Sequence, residues 1–122
     1  ADALFHAVTD AILGALALGD IGQHFSDKDE RWKGANSLIF LNEAVRMMKE
    51  KGFEVVNLDS TISLEKPKLR PHIQAMRENL ERSLEVNIDC LSIKAKTGEK
   101  VDAIGESRAI KAEAVILLQK PN

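Results

Sequence analysis

The sequence predicts an α+β fold in which helices pack on one face of a small mixed β-sheet. Three observations carry that expectation. Residues 2–18 and 35–51 place apolar side chains at helical spacing, whereas residues 53–65 alternate with the period of a strand. A third helical stripe and two more strand-like runs follow. The order is therefore αα–β–α–β–β, a pattern that sets helices against one side of a sheet.

The first helix is expected from Asp2 to about Leu18, with Ala3, Leu4, Ala7, Ile12 and Leu16 inward and Asp2 as its N-cap. Gly19 and Gly22 end it and open a loop. Leu38, Leu41, Ala44, Val45 and Met48 form the stripe of the second helix, capped by Asn36 or Ser37 and stopped by Gly52. In "FEVVNLDSTISLE", Val56, Leu58, Ile62 and Leu64 share one strand face, and Val55, Asp59, Thr61 and Ser63 the other. The loop "EKPKLRP" leads to a third helix that starts at Pro71 and carries Ile73, Met76, Leu80 and Leu84. "IDCLSIKA" and "AIKAEAVILL" are the second and third strands, joined by "KTGEKVDAIGES". The second face of the first strand is too apolar for open solvent and too polar for a core, which predicts burial between subunits.

The chain of 122 residues is expected to form a single domain over residues 1–122. Apolar residues make up 44% and charged residues 30%, the balance of a globular protein rather than a disordered one. A net charge of −2 and a pI near 5.9 speak against a nucleic-acid partner. No apolar run approaches the roughly 20 residues of a membrane helix, so no membrane partner is expected. The single cysteine, Cys90, has no internal partner and points to a reducing compartment. The chain enters a helix at once and has no initiating Met, which predicts that it is N-terminally incomplete.

Three groups of residues invite chemistry. Asp2, His6 and Asp10 stand at i, i+4 and i+8, on one helix face, and an imidazole with carboxylates suits Zn²⁺; a helix end with a satisfied His is the plainer alternative. The loop Gly19–Ser37 holds Asp20, Asp27, Asp29 and Glu30, whose carboxylates could accept hydrogen bonds from a polyol, or could simply form turns. Phe25 and Trp32 within it need cover, and His24 reads as a surface residue. "EKPKLRP" and "KAKTGEK" set Lys66, Lys68, Arg70, Lys94, Lys96 and Lys100 where they could bind phosphates, or serve only as charged loops. Glu99 among them makes sense if a divalent cation lies between carboxylate and phosphate. No nucleophile with a basic escort is evident.

Taken together, "DALFHAVTDAILGALALGDIGQHFSDKD…WKGANS", "NLDSTI", "PKLRPHI", "IKAKTGEK" and "EAVILL" resemble the 2-C-methyl-D-erythritol 2,4-cyclodiphosphate synthase family over essentially the whole chain. The resemblance implies a homotrimer whose sheets face each other, with active sites between subunits. It implies conversion of 4-diphosphocytidyl-2-C-methyl-D-erythritol 2-phosphate to the cyclic diphosphate with release of CMP, in non-mevalonate isoprenoid biosynthesis. The 2-phosphate attacks the β-phosphorus and CMP leaves, so positioning and charge neutralisation matter more than a nucleophile.

Residue by residue, the resemblance makes His6 a zinc ligand whose companions, in a D-x-H motif on an earlier strand, lie ahead of this sequence. Asp20 and Gly22 would bind the methylerythritol hydroxyls, with Ile21 between them also in contact with substrate, and Phe25, Ser26, Asp27, Lys28 and Asp29 would line that pocket. Leu64, Glu65, Lys66, Pro67, Lys68, Leu69 and Arg70 match the cytidine-binding loop. Lys96, Thr97, Gly98 and Glu99 match the phosphate region, with Thr97 beside the transferred phosphoryl group and Glu99 holding Mg²⁺ or Mn²⁺. Where many members have "GFTGRGEG", this chain has "DAIGESRA", so Ala103 and Glu106 replace an aromatic and an arginine near the trimer axis. The implied location is the bacterial cytoplasm or the plastid stroma. Two other classes share the fold: a non-catalytic cytidine-nucleotide-binding module and a metal-free structural trimer.

Overall fold

Helix α1 (Asp2–Ala15) buries Leu4, Phe5, Val8, Thr9, Ile12 and Leu13, the i, i+4, i+8 rows of one stripe. The computed structural model describes residues 2–26, 28–64, 70–96 and 110–122. After α1 come α2 (Ile21–His24), α3 (Ser37–Glu50), β1 (Glu54–Ser63), α4 (Ile73–Leu84), β2 (Leu91–Lys96) and β3 (Lys111–Gln119). Single 3-10 turns at Arg70–His72 and Ile88–Cys90 precede α4 and β2.

The strands form one sheet in the order β2-β1-β3. β1 runs parallel to β2, with Leu58 opposite Leu91 and Ser63 opposite Lys96, and antiparallel to β3. The sheet is thus mixed, and α4 is the crossover a parallel pair requires. Helices cover one face: α1 lies over β3 and against α3, and α4 lies against β2. Val55, Leu58, Ile62, Leu91 and Ile93 join the helices in a continuous core with Leu41, Met48, Met76 and Leu80. The other face stays open, with Val115 74% and Leu117 56% exposed beside an Asp59–Lys94 ion pair at 3.1 Å.

Four expectations are corrected. Val55 lies in the core, not on the outer face, because a bulge between Val55 and Asn57 flips the inward parity of β1. Helix α1 ends at Ala15 rather than Leu18. Its last turn tightens through Ala17, at φ 57°, with Leu18 N–H donating to Leu13 O at 2.9 Å. Asp2 occupies the first turn of α1, beside its free N–H groups, instead of preceding it as a cap. The third helix begins at Ile73, with Pro71 in the 3-10 turn before it. Asn36 is the α3 cap: Oδ1 accepts from Leu38 N–H and Ile39 N–H. Gly52, at φ 84°, stops that helix in the left-handed conformation only glycine adopts freely.

Candidate active site

The segment after α1 is built to present a short helix. Asp20 caps α2, its Oδ1 accepting from Gln23 N–H at 3.0 Å while Gln23 Oε1 accepts from Asp20 N–H at 3.0 Å. This reciprocal box accounts for the carboxylate at Asp20 without a ligand, though its second oxygen has no described partner. Asp10 of α1 ties the helix down, Oδ1 accepting from Ile21 N–H at 3.0 Å. His24 Nε2 lies 2.7 Å from Leu18 O, and since a carbonyl only accepts, that nitrogen carries the proton. His24 is therefore a half-buried clasp rather than a free surface residue. Gly22 lies inside α2, so it does not open the loop as expected.

An aromatic cluster sets the floor. Phe25 is buried and stacks on Phe40 of α3, with centroids 5.0 Å apart and planes 22° apart. Trp32 meets Phe25 edge-on at 4.9 Å, the cover these rings were expected to need. The Trp32 indole N–H is buried with no acceptor among the described residues.

Between this floor and α1 lies a cavity of about 440 Å³ lined by His6, Ile21, Gly22, Phe25, Ser26, Lys28 and Phe40. Six of these seven are candidates from the sequence, brought together from α1 and the loop. Phe40 is the addition. It stands in α3 beside the apolar stripe rather than on it, and an aromatic off the stripe is the signal that marks it. Ser37 is also new: its Oγ lies 2.9 Å from His6 Nε2.

The Asp2–His6–Asp10 metal group does not form. Eight residues of helix rise about 12 Å, too far for three side chains to meet on one ion. Asp10 is engaged with α2, and among the described residues no three His, Cys, Asp or Glu side chains gather to hold a metal. Asp29 does not line the cavity. It pairs with Arg31 at 2.9 Å, and that hydrogen bond holds its carboxyl below the usual range. Asp27, Glu65 to Leu69, Thr97, Gly98, Glu99, Ala103 and Glu106 lie outside the described residues.

The flanks of two further candidate loops are described. Leu64 N–H donates to Lys96 O at 2.9 Å, so the chain leaves β1 and β2 side by side, at the carboxyl ends of two parallel strands. Loops at that end of parallel strands commonly carry ligand sites. Lys96 is exposed there.

Over residues 1–119 the chain matches the YgbB family. It is 53% identical over 120 residues to the 2-C-methyl-D-erythritol 2,4-cyclodiphosphate synthase of Solibacter usitatus (strain Ellin6076), a match over 98% of this chain and 76% of that protein. The chloroplastic enzyme of the same name from Arabidopsis thaliana is 54% identical over 119 residues, 98% of this chain and 52% of its own length. A solved 2C-methyl-D-erythritol-2,4-cyclodiphosphate synthase in a CDP-bound form superposes with a TM-score of 0.88 at 38% identity. That match covers 94% of this chain and 74% of the other.

Proposed function

The chain belongs to the YgbB family, and from that premise we propose that it is a phosphorus–oxygen lyase of non-mevalonate isoprenoid biosynthesis. It converts 4-diphosphocytidyl-2-C-methyl-D-erythritol 2-phosphate to 2-C-methyl-D-erythritol 2,4-cyclodiphosphate and releases CMP. The observation that carries this reading is the cavity in which His6 of α1 meets Ile21, Gly22, Phe25, Ser26 and Lys28. Its apolar floor suits the methyl-bearing carbon skeleton, and Lys28, which lines it, supplies a cation to offset phosphate charge. The CDP bound in the related structure supports a cytidine diphosphate ligand.

Residues 64–70 are proposed to read the cytosine, and Lys96 to Glu99 to hold the phosphates, with Thr97 beside the transferred group. The adjacent exits of β1 and β2 support that placement. Zinc is proposed at His6, and Mg²⁺ or Mn²⁺ at Glu99. His6 is the only His, Cys, Asp or Glu among the described residues that line the cavity, and one imidazole does not make a zinc site. The described residues therefore do not by themselves fit that ion. The assembly is proposed to be a homotrimer in which the open sheet face is covered, supported by the exposure of Val115 and Leu117. The location is proposed to be bacterial cytoplasm or plastid stroma, since relatives include bacterial and chloroplastic proteins.

The test is CMP release from the diphosphocytidyl substrate, followed beside metal analysis of the purified chain. The expected result is stoichiometric CMP and cyclic diphosphate. Nucleotide binding without CMP release would instead favour a non-catalytic module.

A further inference from the structure

Ser37 is 4% exposed and opens α3, yet its hydroxyl takes no part in capping that helix. Asn36 Oδ1 already accepts from Leu38 N–H at 3.0 Å and Ile39 N–H at 3.2 Å. The one hydrogen bond described for the hydroxyl joins it to His6 Nε2, 2.9 Å away and 31 residues earlier in the chain. Buried hydroxyls are kept where they have a partner, and here the partner is an imidazole at the cavity wall. The Phe40 ring stands 6.1 Å from the imidazole, tilted by 32°, and limits its rotation from a second side.

We propose that Ser37 is a positioning residue for His6. By engaging Nε2 it fixes the ring orientation, and it leaves Nδ1, which has no partner among the described residues, as the nitrogen that works in the cavity. A neutral imidazole has one donor and one acceptor nitrogen, and a hydroxyl can meet either, so the contact holds the ring while Nδ1 takes the complementary role. Without that partner the ring is free to flip and to exchange its proton between the two nitrogens. The kinetic consequence rests on the cyclisation proposed above, but the spectroscopic one does not.

The test is ¹⁵N spectroscopy of the histidine rings in the purified chain, with CMP-release kinetics alongside. In the wild type the His6 ring nitrogens, one of them hydrogen-bonded to Ser37, should resonate away from the averaged values of a free imidazole. Ser37→Ala should bring them towards the averaged values of a free imidazole. It should also lower kcat about 10- to 100-fold with KM nearly unchanged, the usual cost of losing an orienting partner. Ser37→Thr, which keeps the hydroxyl, should restore both. If the alanine variant does not fold, Ser37→Cys gives the same comparison at nearly constant volume. Unchanged ring resonances in the alanine or cysteine variant, or failure of threonine to restore them, would overturn the proposal. If the wild type releases no CMP, the cyclisation reading falls, and the ring nitrogens still decide the role of Ser37.

Discussion

Phe40 shows how one side chain can serve fold and site together. It stacks on Phe25, stands near Trp32 at 6.0 Å, and forms part of the cavity wall. Phe40→Ala would leave a hole beside Phe25 and lower stability by about 2–3 kcal/mol, somewhat under the value for a fully buried ring because Phe40 is half-buried. KM for the substrate should rise as the floor loses its shape, while Phe40→Leu should keep most of both properties. Urea titration and initial-rate kinetics on the two variants check this, and equal stability of Phe40→Ala and wild type would refute it. At this scale the lining of the candidate cavity was legible in the sequence, since His6, Ile21, Gly22, Phe25, Ser26 and Lys28 all reach it. What stayed hidden was the pairing of side chains far apart in the chain. Periodicity puts Asp10 on the face of His6 but does not show that its carboxylate is taken by Ile21 N–H.

The elements were read well where one period dominates and poorly where local hydrogen bonds decide. Helix α3 and the three strands of the described sheet lie within a few residues of their expected bounds. The short α2 did not show because four residues carry no period, and its existence depends on the Asp20–Gln23 box. Gly19 precedes that box at φ 94°, and a Cβ there would meet Gln23 Oε1 at 1.8 Å. Gly19→Ala should therefore break the box and cost about 1–2 kcal/mol for the left-handed backbone alone. Amide exchange at Asp20, whose N–H donates to Gln23 Oε1, should be slow in the wild type and fast in the variant; unchanged protection would count against it. The bulge in β1 was equally hidden, since one extra residue at Val56 reverses the parity on which a two-residue period relies.

Helix α3 also carries a pH-dependent contact. Arg46 pairs with Glu43 and Glu50, each at 2.6 Å, and its hydrogen bonds hold the Glu43 carboxyl below its ordinary value. A depressed carboxylate contributes stability that is fully present above its ordinary pKa and is lost as pH falls through the lowered one. The groups are largely exposed, so the contribution is small. Arg46→Ala should be slightly less stable than wild type at neutral pH, and the difference should vanish in acid. Thermal unfolding across that range measures it, and a difference that persists or grows in acid would contradict the assignment.

At the scale of the molecule, the sheet has one face full and one face open. The core side holds Leu58, Ile62, Leu91 and Ile93 in contact with the helices. The outer side shows Val115 and Leu117 among Asp59, Lys94 and Glu113, a mixture that a lone subunit would leave wet. Exposing two large aliphatic side chains on a strand of nine residues also leaves an edge and face prone to association. The proposed trimer resolves both, because three such faces turned inward bury the apolar residues and let the charged ones pair across subunits. Leu117→Asp places a carboxylate in that contact three times over, opposite Asn57, with no added cation to balance it. The variant should therefore dissociate, while its helices and core, which lie on the other side of the sheet, stay folded. Light scattering should give three times the subunit mass for the wild type and one for the variant, with far-UV circular dichroism unchanged. CMP release should fall with dissociation if the active sites lie between subunits. A wild type that is monomeric at micromolar concentration, or a Leu117→Asp variant that remains trimeric, would rule out this face as the interface.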